Sequence, residues 1–416
     1  MGGLEYAGLI VPVLLLLVLL EYWVSKRKGV ETYRFDDTIV NIYCGVLERL
    51  FDAFWVVMMY FVFGFLFEHA TLWQFKPGPL TFVAGLFLGD FLAYWHHRLS
   101  HEINVLWAGH IVHHQSEELN LTTVFRVSAF SVINRSFFWI WMPILGFDPV
   151  TTTSVIVFIG LFQFLTHTRL VGKLGVLEYI FVTPSHHRVH HARNEKYLDK
   201  NYGHVFIIWD RMLGTFIEED EEPDYGITTG FESHNPYEAY LFYWKDLFRR
   251  SRAAHTWQDK IRVFIAPPTW NPEGVTPPPI LYHTTPDGQR IKSRDNTPVR
   301  LRIFVLTQII PTILALVGIL SDKRWEPTGL ETTMLTIFIA ISALVHGLQL
   351  EQRIMGYRLF FVQLVIGLIT LIVLGWDSPL GWAGIGVGVL YQLVSLVWLL
   401  RMRDYFGVTA PARQNR

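Results

Sequence analysis

Nine apolar stretches of 16–22 residues recur along this chain, at about 4–24, 47–67, 80–95, 130–147, 151–166, 299–320, 331–350, 356–376 and 383–400. Hydrocarbon offers no partner to a backbone N–H or C=O, so runs of about this length cross a bilayer as helices whose hydrogen bonds close internally. The expected fold is an all-α integral membrane protein with about nine transmembrane helices. The first run ends in Ser25-Lys26-Arg27-Lys28, has no basic residue before it, and is longer than a signal-peptide core, so it reads as a retained span. The runs at 130–147 and 151–166 meet at Gly146-Phe147-Asp148-Pro149, and the pair reads either as two crossings or as a re-entrant hairpin.

Basic residues orient these spans. Lys26, Arg27 and Lys28 follow the first, Arg249, Arg250 and Arg252 precede the sixth, Arg353 and Arg358 separate the seventh and eighth, and Arg401 and Arg403 follow the ninth. With the N-terminus outside, all of them fall on the cytoplasmic side, as the positive-inside tendency requires. The 35 Lys+Arg against 36 Asp+Glu leave a net charge of −1, which argues against a nucleic-acid partner. Cys44 is the one cysteine, so any metal here is held by nitrogen and oxygen. The organisation reads as a membrane anchor over 1–95 and a histidine-rich region over 96–220 that contains the 130–166 hairpin. A loop-rich, proline- and tryptophan-bearing cytoplasmic cap over 221–298 follows, with Pro277-Pro278-Pro279, and then a second membrane bundle over 299–416.

Twelve of the 17 histidines lie between His96 and His204, about a quarter of the chain, where an even spread would place four or five. Most form three clusters: His97-Arg-Leu-Ser-His101, His110-Ile-Val-His113-His114 and His187-Arg-Val-His190-His191. Residues i and i+4 share one face of a helix, so each cluster can aim two rings at one metal. Adjacent histidines point about 100° apart, so one can serve one metal while its neighbour serves a second. Imidazole suits iron, zinc and copper. The near acids are only Glu102, Glu117 and Glu118. The expected site is a cytoplasmic di-metal dome built almost wholly from histidine, of a kind able to activate O2 against a C–H bond. A single histidine in such a composition is more often a satisfied core group, and one cluster alone would read as chance or a pH-sensitive patch; three on one side of the membrane outweigh that reading.

Other positions stay open on the residues alone. His167 stands at the end of the fifth span, where an ionisable group is expensive without a partner. His186 competes with His187 for the i+4 place, and spacing does not separate them. Asp90, seven residues before His97, either orients a ligand ring from behind or is a polar group capped by a neighbouring helix. His96, off the His97/His101 face, reads as a surface or supporting group; His69, His204, His234, His255, His283 and His346 read as structural.

The clusters resemble those of the fatty acid hydroxylase/sterol desaturase superfamily, integral membrane di-iron enzymes. The surrounding words, from His97 to His114, Glu178-Tyr-Ile-Phe-Val-Thr-Pro184-Ser-His186-His187-Arg-Val-His190-His191, Asp199-Lys-Asn201-Tyr-Gly203 and Trp209-Asp210-Arg-Met-Leu-Gly-Thr215, are similar to its ether-cleaving branch, the alkylglycerol monooxygenases. The late stretch Leu350-Glu351-Gln352-Arg353 resembles that branch too. The resemblance implies two iron ions held by His97, His101, His110, His113, His114, His187, His190 and His191 with His167, and support from Asp90, His186 and Asn201. Some relatives carry a histidine four residues before the His167 equivalent, where this chain has Gln163. The resemblance also implies O2 as co-substrate, tetrahydrobiopterin or another reductant system as electron source, and a lipid substrate. The implied reaction hydroxylates the carbon beside the ether oxygen of an alkylglycerol or lyso-alkyl phospholipid, giving fatty aldehyde and glycerol. A sterol, carotenoid or fatty-acid hydroxylase or desaturase is the rival of the same chemistry; a histidine-rich metal transporter or sensor is the rival of another class. The expected home is the endoplasmic reticulum in a eukaryote and the inner (plasma) membrane in a bacterium.

Overall fold

The computed structural model describes residues 4–277, 280–281, 283–284, 290–291, 295–321, 329–375 and 381–408. Pro278 and Pro279, named above, and Trp376, the last residue of the eighth apolar run, lie outside the described residues. The chain divides into two compact units, one of residues 18–232 and 240–293, the other of residues 1–17, 233–239 and 294–416.

The helices that precede and frame the histidines are α1 (Leu4–Lys28), α2 (Phe35–His69), α3 (Pro79–Glu102), α4 (Asn104–His114), α5 (Ala129–Trp139), α6 (Trp141–Ile144) and α7 (Pro149–Thr166). They are followed by α8 (Pro184–His191), α9 (Ile208–Leu213), α10 (Pro236–Ala253) and α11 (Trp257–Ile265). Among the described residues the strands are one two-residue pair, His283–Thr284 with Arg290–Ile291, so the fold is essentially all-helical. A buried apolar core joins α2, α3, α5, α6 and α7 through Met59, Phe63, Leu86, Trp139, Met142 and Val155.

Local chemistry sets the helix ends. Asp148 accepts hydrogen bonds from the N–H groups of Val150 and Thr151 with Pro149 in the first turn, which starts α7 cleanly. Ser128 caps α5 and Thr256 caps α11 in the same way. Between α3 and α4, Ile103 is extended, and Asn104 is tied down by its N–H to the Ala266 carbonyl and its side-chain amide to that of Val263. That break folds α4 back beside α3.

Among the described residues, six helices are long and apolar enough to cross a membrane: 35–69, 149–166, 299–320, 330–350, 354–375 and 381–400. These match six of the nine expected spans. Runs 4–24 and 80–95 are helical within α1 and α3. Run 130–147 does not form one span. It breaks after Trp139, and α5, with 11 residues, is only about 16 Å long. Pro143 accounts for the break: it has no N–H to give the Trp139 carbonyl four residues back, and its ring crowds that oxygen. Arg135 turns to Glu48 and Asp52 of α2, and Ser136 accepts from the Trp55 indole N–H. The stretch 221–298 is also less loop-like than expected. In α10, Tyr240, Tyr243, Leu247 and Arg250 recur at helical spacing and are all buried. Tyr240 donates to the Cys44 and Val127 carbonyls, and Tyr243 to the Asn104 side chain.

The other unit holds α12 (Val299–Ser321), α13 (Leu330–Leu350), α14 (Ile354–Gly375) and α15 (Gly381–Leu400). Its polar residues bond between helices: Gln363 to Ser342 at 3.0 Å and Gln308 to Ser395 at 2.9 Å. Bonds of this kind contribute about 0.6–2 kcal/mol in a membrane bundle. Glu351, at the α13–α14 turn, accepts from the Ser233 hydroxyl and the His234 N–H. His346 is buried here, on α13.

Candidate metal centre

Nine imidazoles converge into two groups, each with its nitrogens within 4.8 Å of one another: His97, His101, His110, His114 and His190; and His113, His167, His187 and His191. The i,i+4 pairs stay together, while the third residue of each doubled cluster crosses over. Thus α4 sends His110 and His114 to the first group and His113 to the second. α8 sends His187 and His191 to the second and His190 to the first. The stacked rings of His114 and His191, 4.6 Å apart, bring the groups side by side.

The tautomers follow from what stands behind the rings. A carbonyl can only accept, so the Nδ1–H of His97 donates to the Tyr202 carbonyl (2.7 Å), that of His167 to Gln163 (2.7 Å) and that of His190 to Lys200 (2.9 Å). Their Nε2 atoms therefore carry bare lone pairs aimed inward. His101 sets its Nδ1 3.4 Å from an Asp199 carboxylate oxygen, and this hydrogen bond holds the Asp199 carboxyl below its ordinary range. The Nε2 atoms of His101 and His190 are buried with no hydrogen-bond partner.

Hydrogen bonding cannot account for the interior. The Nε2 atoms of His191, His187, His167 and His113 form a string with spacings of 3.0, 2.9 and 3.0 Å. Each has one proton or one lone pair, and His167 has none to give, so at most two of these contacts are hydrogen bonds. In the first group His97 and His114 both face His110 Nε2, at 3.0 and 3.1 Å. Two imidazole nitrogens about 2.05 Å from a shared metal lie about 2.9 Å apart at a right angle and about 3.4 Å apart at a tetrahedral one. The observed spacings are those of nitrogens placed to share an ion. Burial pushes the imidazoles of His110, His113, His114, His187, His190 and His191 well below their usual pKa, which keeps them neutral and free to ligate. The residues fit a two-metal centre.

The remaining expected residues have other placements. The His186 ring lies in neither group: its Nδ1 accepts from the Thr183 N–H and closes a capping box at the start of α8. Asp90 faces no ligand ring. It accepts from the N–H groups of Val205 and Phe206 and from the Trp209 indole. Asn201 donates to the His186 and Ile217 carbonyls and accepts from the Ile217 N–H. Gln163 donates to the His204 carbonyl and backs His167.

Together these placements reveal a part that composition and spacing did not single out, the strap 199–206. It supplies the Asp199 carboxylate behind His101, the Lys200 carbonyl behind His190 and the Tyr202 carbonyl behind His97. Asp210, fully buried, accepts from the N–H groups of Tyr202 and Gly203, both at 2.7 Å, and Asp90 holds Val205 and Phe206. Asp199 and Asn201 adopt left-handed backbone, with φ of 58° and 54°. These are the residue types that tolerate it best after glycine.

Residues 82–215 match the family model described as fatty acid hydroxylase. The alkylglycerol monooxygenase of Homo sapiens is 32% identical over 358 residues, covering 84% of this chain and 78% of that protein. That of Danio rerio is 31% identical over 387 residues, covering 90% and 84%. That of Xenopus tropicalis is 35% identical over 261 residues, covering 62% and 58%. The chain belongs to the fatty acid hydroxylase family. It is a multi-pass membrane protein and an oxidoreductase that acts on lipids. No solved structure matches the chain.

Proposed function

We propose that the protein is a membrane-bound di-iron monooxygenase that hydroxylates the ether-adjacent carbon of alkylglycerols or lyso-alkyl phospholipids. The observation that carries this reading is the convergence of nine imidazoles, with no carboxylate among them, into groups of five and four. Neutral imidazole donors suit iron. The similarity to three alkylglycerol monooxygenases supports the ether substrate. When bound, two iron ions would supply the redox chemistry that places one atom of O2 in a C–H bond. Tetrahydrobiopterin is the proposed two-electron donor.

In overall balance, R–CH2–O–R′, O2, two electrons and two protons give R–CH(OH)–O–R′ and water. The hemiacetal then breaks its C–O bond, the hydroxyl proton passing to the departing oxygen, to leave the aldehyde R–CHO and the alcohol HO–R′.

The chain's own residues position this chemistry. The Gln163, Lys200 and Tyr202 carbonyls fix three ring orientations, and burial keeps water from the ligand face. Trp107, whose ring is 4.8 Å from that of His101, and Trp95 suit the headgroup depth of a bilayer. A glycerol head there would leave the alkyl chain among the spans and its first ether carbon beside the histidines, so that placement selects the bond. The distribution of basic residues supports a cytoplasmic histidine end.

The test supplies reconstituted protein with 1-O-alkylglycerol, an isomer whose ether oxygen lies several carbons further down the chain, a fatty acid and a sterol. Aldehyde should come from the first alone. Equal cleavage of the displaced ether, or faster oxidation of the acid or sterol, would replace the alkylglycerol assignment with another lipid oxidation.

A further inference from the structure

Between the ligand His167 and the ligand-bearing helix α8 the chain runs through Val171-Gly-Lys-Leu174-Gly-Val176-Leu177-Glu178-Tyr179-Ile180, and every residue but Glu178 is exposed. Val176 is 76% exposed and Tyr179 67%, and beside them Met212 is 74% exposed. Such a patch on a surface meant for water is anomalous. It is not a loose loop. Glu178, the one acid in the run, turns its carboxylate inward to accept from the Leu174 N–H and the Thr183 hydroxyl. Gly175 takes a φ of +61°, which suits glycine and tightens the turn. Arg211 donates to the Glu178 carbonyl and lies over the Tyr179 and Phe216 rings, tying Met212 to the run. Ile180 and Val182 pair with Ile207 and Val205. The result is an ordered lip with its apolar side chains outward.

The surface it continues identifies what covers it. On α7, a membrane-spanning helix, Val150, Val157, Phe158, Leu161 and Leu165 are exposed and fall on one helical face, as a lipid-facing stripe does. The Phe158, Phe162 and Phe181 rings follow one another at 6.5 and 6.4 Å and connect that helix to the lip. Arg169, paired with Glu118 and Glu222, and Lys173, 3.7 Å from Glu218, mark the polar edge at its start.

We infer that residues 174–180, with Met212, dip into the acyl layer of the bilayer and form the lip over which a lipid leaves the membrane for α8. The seating rests on exposure and continuity alone. Only its role in substrate transfer rests on the lipid-oxidising function. Cys44 is buried, so new surface cysteines can be labelled selectively. Nitroxides at Val176→Cys and Met212→Cys are compared with Leu161→Cys on the α7 stripe and Glu195→Cys on an exposed polar turn, using the full chain in phosphatidylcholine nanodiscs. Collision with O2, which partitions into lipid, should exceed collision with a water-soluble nickel chelate several-fold at Val176 and Met212, as at Leu161, with the reverse at Glu195. Relaxation by the chelate at Val176 and Met212 as strong as at Glu195 would overturn the inference. So would spin–spin broadening that disappears on dilution with unlabelled protein, since a second copy would then cover the patch. The labels report depth whatever the substrate, so a failed ether assay leaves this outcome readable.

Discussion

Replacing Asp210 by alanine should weaken metal binding without touching a metal ligand. Its carboxylate accepts from the Tyr202 and Gly203 N–H groups and the Thr215 hydroxyl, each at 2.7 Å. The hydroxyl keeps a partner in Tyr94, 3.0 Å away, but the two backbone donors are left unsatisfied. Each such loss costs about 1–3 kcal/mol, so the strap is destabilised by roughly 2–6 kcal/mol. The lower part of that range is expected, because burial already pushes the Asp210 carboxyl up and returning it to water offsets some of the loss. The strap carries the acceptors for His97 and His190, and loss of such support lowers metal affinity by about 10–100-fold. Chelator competition on purified Asp210→Ala, beside Asp210→Asn and the exposed-site control Asp220→Ala, measures this directly. The asparagine variant should fall between, and the control should match the parent. A folded Asp210→Ala protein with parental metal affinity would refute the reasoning.

Gly203→Ala should act similarly, since a Cβ there meets the Phe206 carbonyl oxygen at 2.7 Å and the Asp210 carboxylate at 2.9 Å; reduced metal retention on gel filtration checks it. Alanine at His101, His114 or His190 should abolish turnover, whereas alanine at exposed His69 or His255 should leave activity within a few-fold in the same product assay. Acid should destabilise the metal-free protein from about pH 6.5 downward, where unfolded histidines bind protons. In the folded chain burial holds His167 at about 4 and lowers its neighbours, so the unfolded state binds more protons and stability falls with pH, by about 1.36 kcal/mol per pH unit for each histidine involved. A thermal midpoint that stays flat from pH 7 to 5 would contradict this.

Much of the site was legible because histidine at helical spacing is a strong local signal. The i,i+4 rule groups His97 with His101 and His110 with His114, while in the third cluster spacing leaves His186 and His187 as rivals and the fold brings His187 to His191. The strap was not legible in that way. Two of its three contributions are backbone carbonyls, which every residue carries, and Asp199 reaches His101 only through a left-handed turn. The same limit applied to Asp90. Its sequence distance from His97 left a partner ring and a capped polar group both open, and its three acceptor bonds go to the segment 205–209. At 130–147, which the sequence left open as a crossing or half of a re-entrant hairpin, hydrophobicity summed over the run does not register Pro143, where the helix is interrupted.

Metal content of the full-length protein tests the central claim most directly. Protein purified under iron-replete, reducing conditions and assayed by elemental analysis should carry about two iron ions per chain, as expected for two imidazole-walled sites. His187→Ala should lower that number, since it removes one of four donors from the smaller group. A folded, iron-replete parent protein holding no iron, or no more than one ion per chain, would contradict the two-metal account.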